Sequence, residues 1–422
     1  MRDFPGHWET RKAKRLFREV ARRGYSDKQL LSVTQDSGVV ARIDREDVGL
    51  RVWNPGGDVS GYKLVERGQF VISLRSFEGG IEYCGIEGLV SPAYTVMELL
   101  APEHCAFFRW YFKSSKFISE LAIQSKGIRQ GKSISFEEFA ELRLPFPPVE
   151  EAVKIVELIE ERISQIDALI GRSARLLELV AEYQLAQLLN SVTKGLNPDA
   201  RMKDSGIPWL GKIPTHWPLK KVRYMGSHTG GSTPSRDDDR YWNGVMPWVT
   251  PKDMKKTHID GAEEHVSVVA LEESHLPVIP AGALLLVVRG MILLHTFPVA
   301  VNTVPVTVNQ DMKALRLKSD FVPEFVRYLF SGIGAAIVAT LVDEAAHGTK
   351  ALRMDKWLAF AVAIPPKEEQ LEIVKFLDLR MKEIDELALR NSEAIEKLKE
   401  SRASLISAAV VGNIDFQDAV AA

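Results

Sequence analysis

Three loops of this 422-residue chain carry residue types that bind phosphates and base edges. His228–Gly244, HTGGSTPSRDDDRYWNG, places Thr233, Ser235, Arg236, Arg240, Tyr241 and Trp242 behind two glycines. Ala346–Arg353, AHGTKALR, adds Thr349, Lys350 and Arg353. Ser73–Gly80, SLRSFEGG, follows a predicted strand and holds Arg75 and Ser76. Lysine, arginine and hydroxyls suit phosphate oxygens, and forked or amide side chains reach base edges in bidentate geometry. A generic surface loop uses similar residues, so composition alone leaves nucleic acid as one reading among several.

Catalytic constellations are scarce. Gly127–Ser133, GIRQGKS, has its glycines four apart where a phosphate-binding loop of the Walker type needs five, and reads as a flexible basic loop. Pro251–Lys256, PKDMKK, faintly matches a nuclease motif but lacks the upstream acid in the right context. The chain contains no Asn-Pro-Pro-Tyr or Asp-Pro-Pro-Tyr stretch of the kind an amino-methyltransferase needs, and no glycine-rich cofactor fingerprint. His7 and His216 each precede a tryptophan at a domain edge, where packing is the expected role. Cys84 and Cys105 are too few for a disulfide framework or a cysteine-rich zinc site and read as reduced, buried thiols. The chemistry left is binding.

The elements that position these loops come in two copies. PPVEEAVKIVELIEERISQIDALI begins at Pro147, and PPKEEQLEIVKFLDLRMKEIDELA begins at Pro365, an offset of 218 residues. Phe4-Pro-Gly-His-Trp8 and Ile213-Pro-Thr-His-Trp217 open the two halves. Such a repeat predicts a pseudo-symmetric molecule. Apolar residues at Ile155, Ile159, Ile163, Ile166, Ile170, Leu177 and Val180, and at Ile373, Leu377, Met381, Ile384, Ala388, Ile395 and Leu398, settle into the three-four spacing of a coiled-coil seam. Gly195 and Gly412 are the expected stops. Each helix is about 40 residues, roughly 60 Å. Ser173 and Asn391 are the matched polar steps, and a polar seam residue sets register at a cost in stability.

Residues 1–146 and 213–364 are rich in short β-branched runs such as GQFVISL, ALLLVVRG and FPVAVNTVPVTVN, broken by Gly and Pro, beside helical patches such as CAFFRWYFKSSKFISEL. They read as mixed α/β domains that diverge from each other while the helices repeat. Residues 196–212 read as a turn-rich linker and 413–422 as a tail. The net charge of −2 hides an uneven distribution. The helices are acidic, while Arg11, Lys12, Lys14, Arg15, Arg18, Arg22 and Arg23 form a basic cluster. Local patches set the field a ligand meets. The charged start is no signal peptide, and the apolar run at 279–294 is broken by Pro280, Gly282 and Arg289 and falls short of a span. A cytoplasmic protein is expected.

Gly230–Met254, GGSTPSRDDDRYWNGVMPWVTPKDM, resembles the start of a target-recognition domain in the specificity subunits of type I restriction–modification systems. VNQDMKALRL, GTKALRM and PPKEEQLEIVKFLD continue the resemblance in order. LLSVTQDSGVV, YKLVERGQFVISL and GLVSPAYTV do so in the first half, and SVTKGLNPDARMKDSGIPWLGKIPTHW at the junction. Two departures stand out: GIRQGKSIS occurs where the second half has GTKALRM, and AVVGNID lacks the usual threonine before its glycine.

The resemblance implies an α+β fold: two globular mixed α/β target-recognition domains (1–146 and 213–364) joined by two long helices (147–195 and 365–412). The helices would form an antiparallel coiled coil with a pseudo-twofold repeat. Each domain would read half of a split duplex DNA sequence. The chain would bind no cofactor and no metal. Two methyltransferase subunits, using S-adenosylmethionine on adenine, and in the full complex restriction subunits using ATP and Mg, would be its partners, with no membrane involved. The candidate DNA contacts are Arg11, Lys12, Arg75, Ser76, Thr233, Ser235, Arg236, Tyr241, Lys252, Arg289, Thr349 and Lys350. The rival readings are a fused restriction–modification enzyme and a coiled-coil scaffold that binds proteins.

Overall fold

The structure, a computed structural model, describes residues 4–35, 38–42, 59–74, 76–124, 134–344 and 348–413. The chain forms two compact units, residues 1–175 with 391–422, and residues 176–390. Arg75 and the basic loop 127–133 lie outside the described residues.

In the first unit, β1 (Phe17–Val20), β2 (Phe70–Ile72), β3 (Glu82–Tyr83) and β4 (Thr95–Leu99) make an antiparallel sheet in the order β1-β4-β2-β3. The apolar patch CAFFRWYF becomes helix α1 (Cys105–Tyr111) and its exit, followed by α2 (Ser115–Gln124). It buries Phe107, Phe108 and Phe112 against Phe17 and Phe70. Phe17 meets Phe70 and Phe108 edge-on, with centroids 5.7 and 5.3 Å apart. Each such pair adds about 0.5–1.5 kcal/mol beyond its buried area. Burial pushes the Cys84 thiol up to about 11, so it is held protonated at neutral pH.

The second unit is built on β5 (Gly226–Gly230), β6 (Trp242–Val249), β7 (His258–Ile259), β8 (Glu264–Val266), β9 (Leu284–Val287), β10 (Val299–Asn302), β11 (Thr307–Val308) and β12 (Met312–Leu317). One sheet has the order β5-β12-β9-β10-β7, antiparallel except for the β7–β10 pair, and a second has the order β8-β6-β11. All four residues of β9 are buried, which is why ALLLVV shows no alternation. Buried Asn302 closes the core: Oδ1 accepts from Ala283 N–H, and Nδ2 donates to the carbonyls of Pro280 and Val304. The linker is not featureless, because Met202–Asp204 pairs with Lys212–Pro214.

Two long helices, α3 (Val149–Lys194, 46 residues) and α4 (Lys367–Val410, 44 residues), each have residues in both units. Each follows a Pro-Pro pair and stops at a glycine in the left-handed region, Gly195 at φ +75° and Gly412 at φ +74°. Ile155, Ile159 and Ile163 in α3 and Ile373, Leu377 and Ile384 in α4 are buried. Contacts run in opposite senses along the pair, Arg402 to Asp167 at 3.0 Å and Asn391 to Ser173 at 2.7 Å. The helices are therefore antiparallel there. Asn391 Nδ2 donates to the backbone carbonyl of Ser173, its own repeat mate 218 residues away. A residue touching its mate is what a local twofold between antiparallel helices produces. We expect Asn391→Leu to raise the denaturant midpoint, since the polar seam residue costs stability, while loosening register. Cross-linking of cysteines placed at Gln184 and Asp385, which lie 3.2 Å apart, should fall in that variant.

One junction occurs twice, once in each unit. His7 Nε2 lies 2.8 Å from Glu151 in the first turn of α3, and His216 Nε2 lies 2.9 Å from Glu369 in the first turn of α4. A carboxylate there suits the positive end of the helix dipole. The neighbouring tryptophan packs beneath the glycine that ends the other helix, Trp8 under Gly412 and Trp217 under Gly195. The tryptophans do the packing, and the half-exposed histidines hold the helix starts.

Candidate nucleic-acid interface

The loop Ser232–Tyr241 is tied down by its own chain. Trp248 Nε1 donates to Ser232 O at 3.1 Å and Trp242 Nε1 to Ser235 O at 2.9 Å. Both indoles belong to a small core with Val266, Ala270 and Leu276. Asn243, at φ +59°, opens an irregularity in the β6–β8 pairing between Trp242 and Met246, and Gly244 sits so close to Ser267 that a Cβ would be 2.3 Å from its Cα. Such a bulge re-aims the side chains beside it.

The Arg236 guanidinium lies 3.9 Å from the Trp242 ring centroid and grips Glu264 with both terminal nitrogens, at 2.9 and 2.8 Å. The arginine holds the Glu264 carboxyl below its usual range. Arg240 binds Asp238 and Glu273, and Tyr241 donates its hydroxyl to Glu273 at 2.8 Å, which pushes the phenol up. Ser235 Oγ accepts from Asp237 N–H at 3.3 Å. Arg236 and Arg240 are thus paired with Glu264, Asp238 and Glu273, beside Asp237 and Asp239 in the chain, and acidic groups outnumber the cations here. Arg236, one of the candidate DNA contacts, is therefore paired within its own domain. The fork that would grip guanine is occupied, and reading a base requires the Glu264 pair to open. Lys252 stands exposed in the turn after β6 and near enough to Glu264 to help hold its carboxyl low.

A second cluster brings together other predicted residues. Val288 and Arg289 N–H both donate to Asp311 O, at 2.8 and 3.1 Å. Gly290 N–H donates to Lys350 O at 2.9 Å, and Leu352 N–H returns to Val288 O at 2.8 Å. The Thr233 hydroxyl donates to Gln310 Oε1. Thr233 and Arg289 therefore adjoin the turn 309–311, and Lys350, with Thr349 beside it in the chain, is tied to Gly290 next to Arg289. Arg289 is exposed and forms no ion pair with a described residue. Lys350 is more sheltered than expected, its ammonium 3.0 Å from Glu344. Gln310, exposed at the centre, was not singled out from the sequence, although it stands in the VNQDMKALRL block and an amide is a base-reading type.

Gly231 packs against its own sheet. A Cβ there would lie 2.0 Å from Val308 O and 2.2 Å from Asn309 O, so this glycine lets the loop press against its own sheet. In the first unit Ser76 is buried, its hydroxyl accepting from Ser73 N–H at 2.7 Å and donating to Ser73 O at 3.0 Å. That corrects its assignment to DNA: the hydroxyl closes a turn. Arg11 pairs with Glu9 and stacks 3.8 Å over Phe146, and Lys12 and Lys14 share Glu141, holding that carboxyl down to about 2. Such exposed pairs open at little cost, so these cations can exchange a carboxylate for a phosphate. Among the described residues no group of three or more His, Cys, Asp or Glu could hold a metal ion. Nor is any single described helix long and apolar enough to cross a membrane.

Residues 214–397 match the model of the type I restriction modification DNA specificity domain. The chain is 26% identical over 241 residues to the Escherichia coli type I restriction enzyme EcoR124I/EcoR124II specificity subunit, covering 57% of this chain and 56% of the relative. It is 37% identical over 124 residues to the Methanocaldococcus jannaschii type I restriction enzyme MjaIX specificity subunit, covering 29% of this chain and 28% of the relative. The chain thus spans about half the length of the first of these relatives and less of the second. A solved chain from work on complex assembly and conformational transition of the type I R-M system has the same fold, with a TM-score of 0.69 at 15% identity over 97% of this chain and 99% of that one. The second half thus resembles a DNA specificity domain of type I restriction–modification systems, and the chain shares the fold of that solved chain.

Proposed function

We propose that this chain is the sequence-specific DNA-binding subunit of a type I restriction–modification complex, acting in the cytoplasm and reading a bipartite duplex target through one half-site per globular unit. The match of residues 214–397 to a DNA specificity domain carries the reading. The chain is a recognition subunit without an active site. Adenine methylation, with S-adenosylmethionine, belongs to two methyltransferase subunits, and cleavage, with ATP and Mg, to restriction subunits. Exposed apolar residues on the long helices support docking of protein partners there, among them Leu176, Leu185, Leu379 and Leu389. Acidic residues on the same helices favour protein over phosphate.

The test is the methylated motif of the host genome, read by single-molecule sequencing with and without this gene. Loss of one bipartite adenine-methylated motif is expected on deletion, and an unchanged methylome counts against the reading. Arg289→Ala, which removes an exposed cation with no described ion partner, should weaken binding to all duplexes alike and flatten the salt dependence by about one unit of slope. Titrations of the assembled complex at several salt concentrations check it.

A further inference from the structure

We propose that the tip Met291–Leu294 reads thymine C5-methyl groups in the major groove of the half-site bound by the second unit. This rests on the DNA-recognition reading above and names what one element of it recognises. Gly290, at φ +141°, turns the chain out of β9 into a short 3-10 turn. Leu293 is fully buried and anchors the turn from below. Met291, Ile292 and Leu294 are 57%, 38% and 48% exposed. Single exposed apolar residues are ordinary, but three on one anchored turn make a patch that calls for a partner.

The surroundings say which partner. The tip follows directly on Arg289 and is followed by exposed His295 and Thr296. Gly290 is bonded to Lys350 O, and the N–H of Arg289 is bonded to the turn that presents Gln310. Apolar side chains on a turn whose backbone is tied to segments carrying a guanidinium, an ammonium and an amide match the major groove, where the thymine methyl is the one apolar group among acceptors and donors. Phosphates on either side meet Arg289 and Lys350, while the tip meets the methyl. Each methyl buried this way is worth about fourfold in affinity.

The experiment uses the complex assembled with its methyltransferase subunits and duplexes carrying the mapped motif. Thymines of the second half-site are replaced one at a time by uracil, which removes only the methyl. Wild type should bind at least one uracil duplex about fourfold more weakly. The double variant Met291→Ala/Leu294→Ala, with an unchanged melting midpoint, should bind the thymine duplex more weakly and lose the difference between thymine and uracil. Equal wild-type affinity for thymine and uracil at every position, or a half-site without an A·T pair, overturns the proposal while leaving DNA recognition intact. If the variant instead fails to co-purify with the methyltransferase subunits and keeps its thymine preference, the tip is a protein-docking element and the proposal is wrong. If wild type shows no preference for the motif over random duplexes, it is the DNA-recognition reading that fails.

Discussion

Trp217→Ala should destabilise the second unit by about 3–5 kcal/mol, the range for truncating a fully buried tryptophan. Trp217 is completely buried, lies beneath Gly195 and donates Nε1 to Glu369 at 3.1 Å, the carboxylate that His216 also holds. The repeat supplies an internal control. Trp8 occupies the matching place under Gly412, but its buried Nε1 has no hydrogen-bond partner among the described residues. Phenylalanine at either site keeps a ring and removes the N–H. At Trp217 that removes a hydrogen bond to a charged acceptor, a class worth about 1.5–3 kcal/mol. At Trp8 it removes no bond to a described residue. Trp217→Phe should therefore cost more than Trp8→Phe, as read by denaturant titration of each variant. Equal costs would mean that packing alone makes the junction.

The long helices were legible because their signals are local and repeated: a seam spacing held over many turns, a proline pair before each start and a glycine after each end. The burial of Ile155, Ile159, Ile163, Ile373 and Leu377 follows that seam. The globular units were legible only as short strands. Parallel pairing of β7 with β10, or of β6 with β11, joins segments far apart in sequence that no short-range pattern links. The same limit governs the candidate interface. Arg236 reads as a free cation until Glu264, 28 residues away, is found beside it, and Tyr241 reads as free until Glu273 is. Nor does the sequence show that the carbonyls of Val308 and Asn309 fill the space of the Cβ that Gly231 lacks. Residue type suggested binding chemistry, but which side chains keep their valences open is decided by tertiary pairing.

Exchanging the second reader for that of a relative with different specificity should change one half of the methylated motif and leave the other half intact. The structure moves the seams of that exchange. A graft of 213–364 would cut the pair formed by Met202–Asp204 with Lys212–Pro214, and would import a foreign Trp217 into the junction with Gly195 and Glu369. The domain closes on itself one step later: Ile364 N–H donates to Pro218 O at 3.1 Å, and Leu219–Lys221 pairs with Ala361–Ala363. A graft of 218–364 keeps this closing pair within the donor segment and leaves the helix junction native. It should give a folded chimera whose stability stays near that of the parent, whereas the longer exchange perturbs a fully buried tryptophan. Methylome sequencing of cells carrying the 218–364 chimera reads the outcome. A new sequence in one half-site with an unchanged spacer and partner half-site is expected. If both half-sites change together, the two units do not read independently, and the assignment of one half-site to each is wrong.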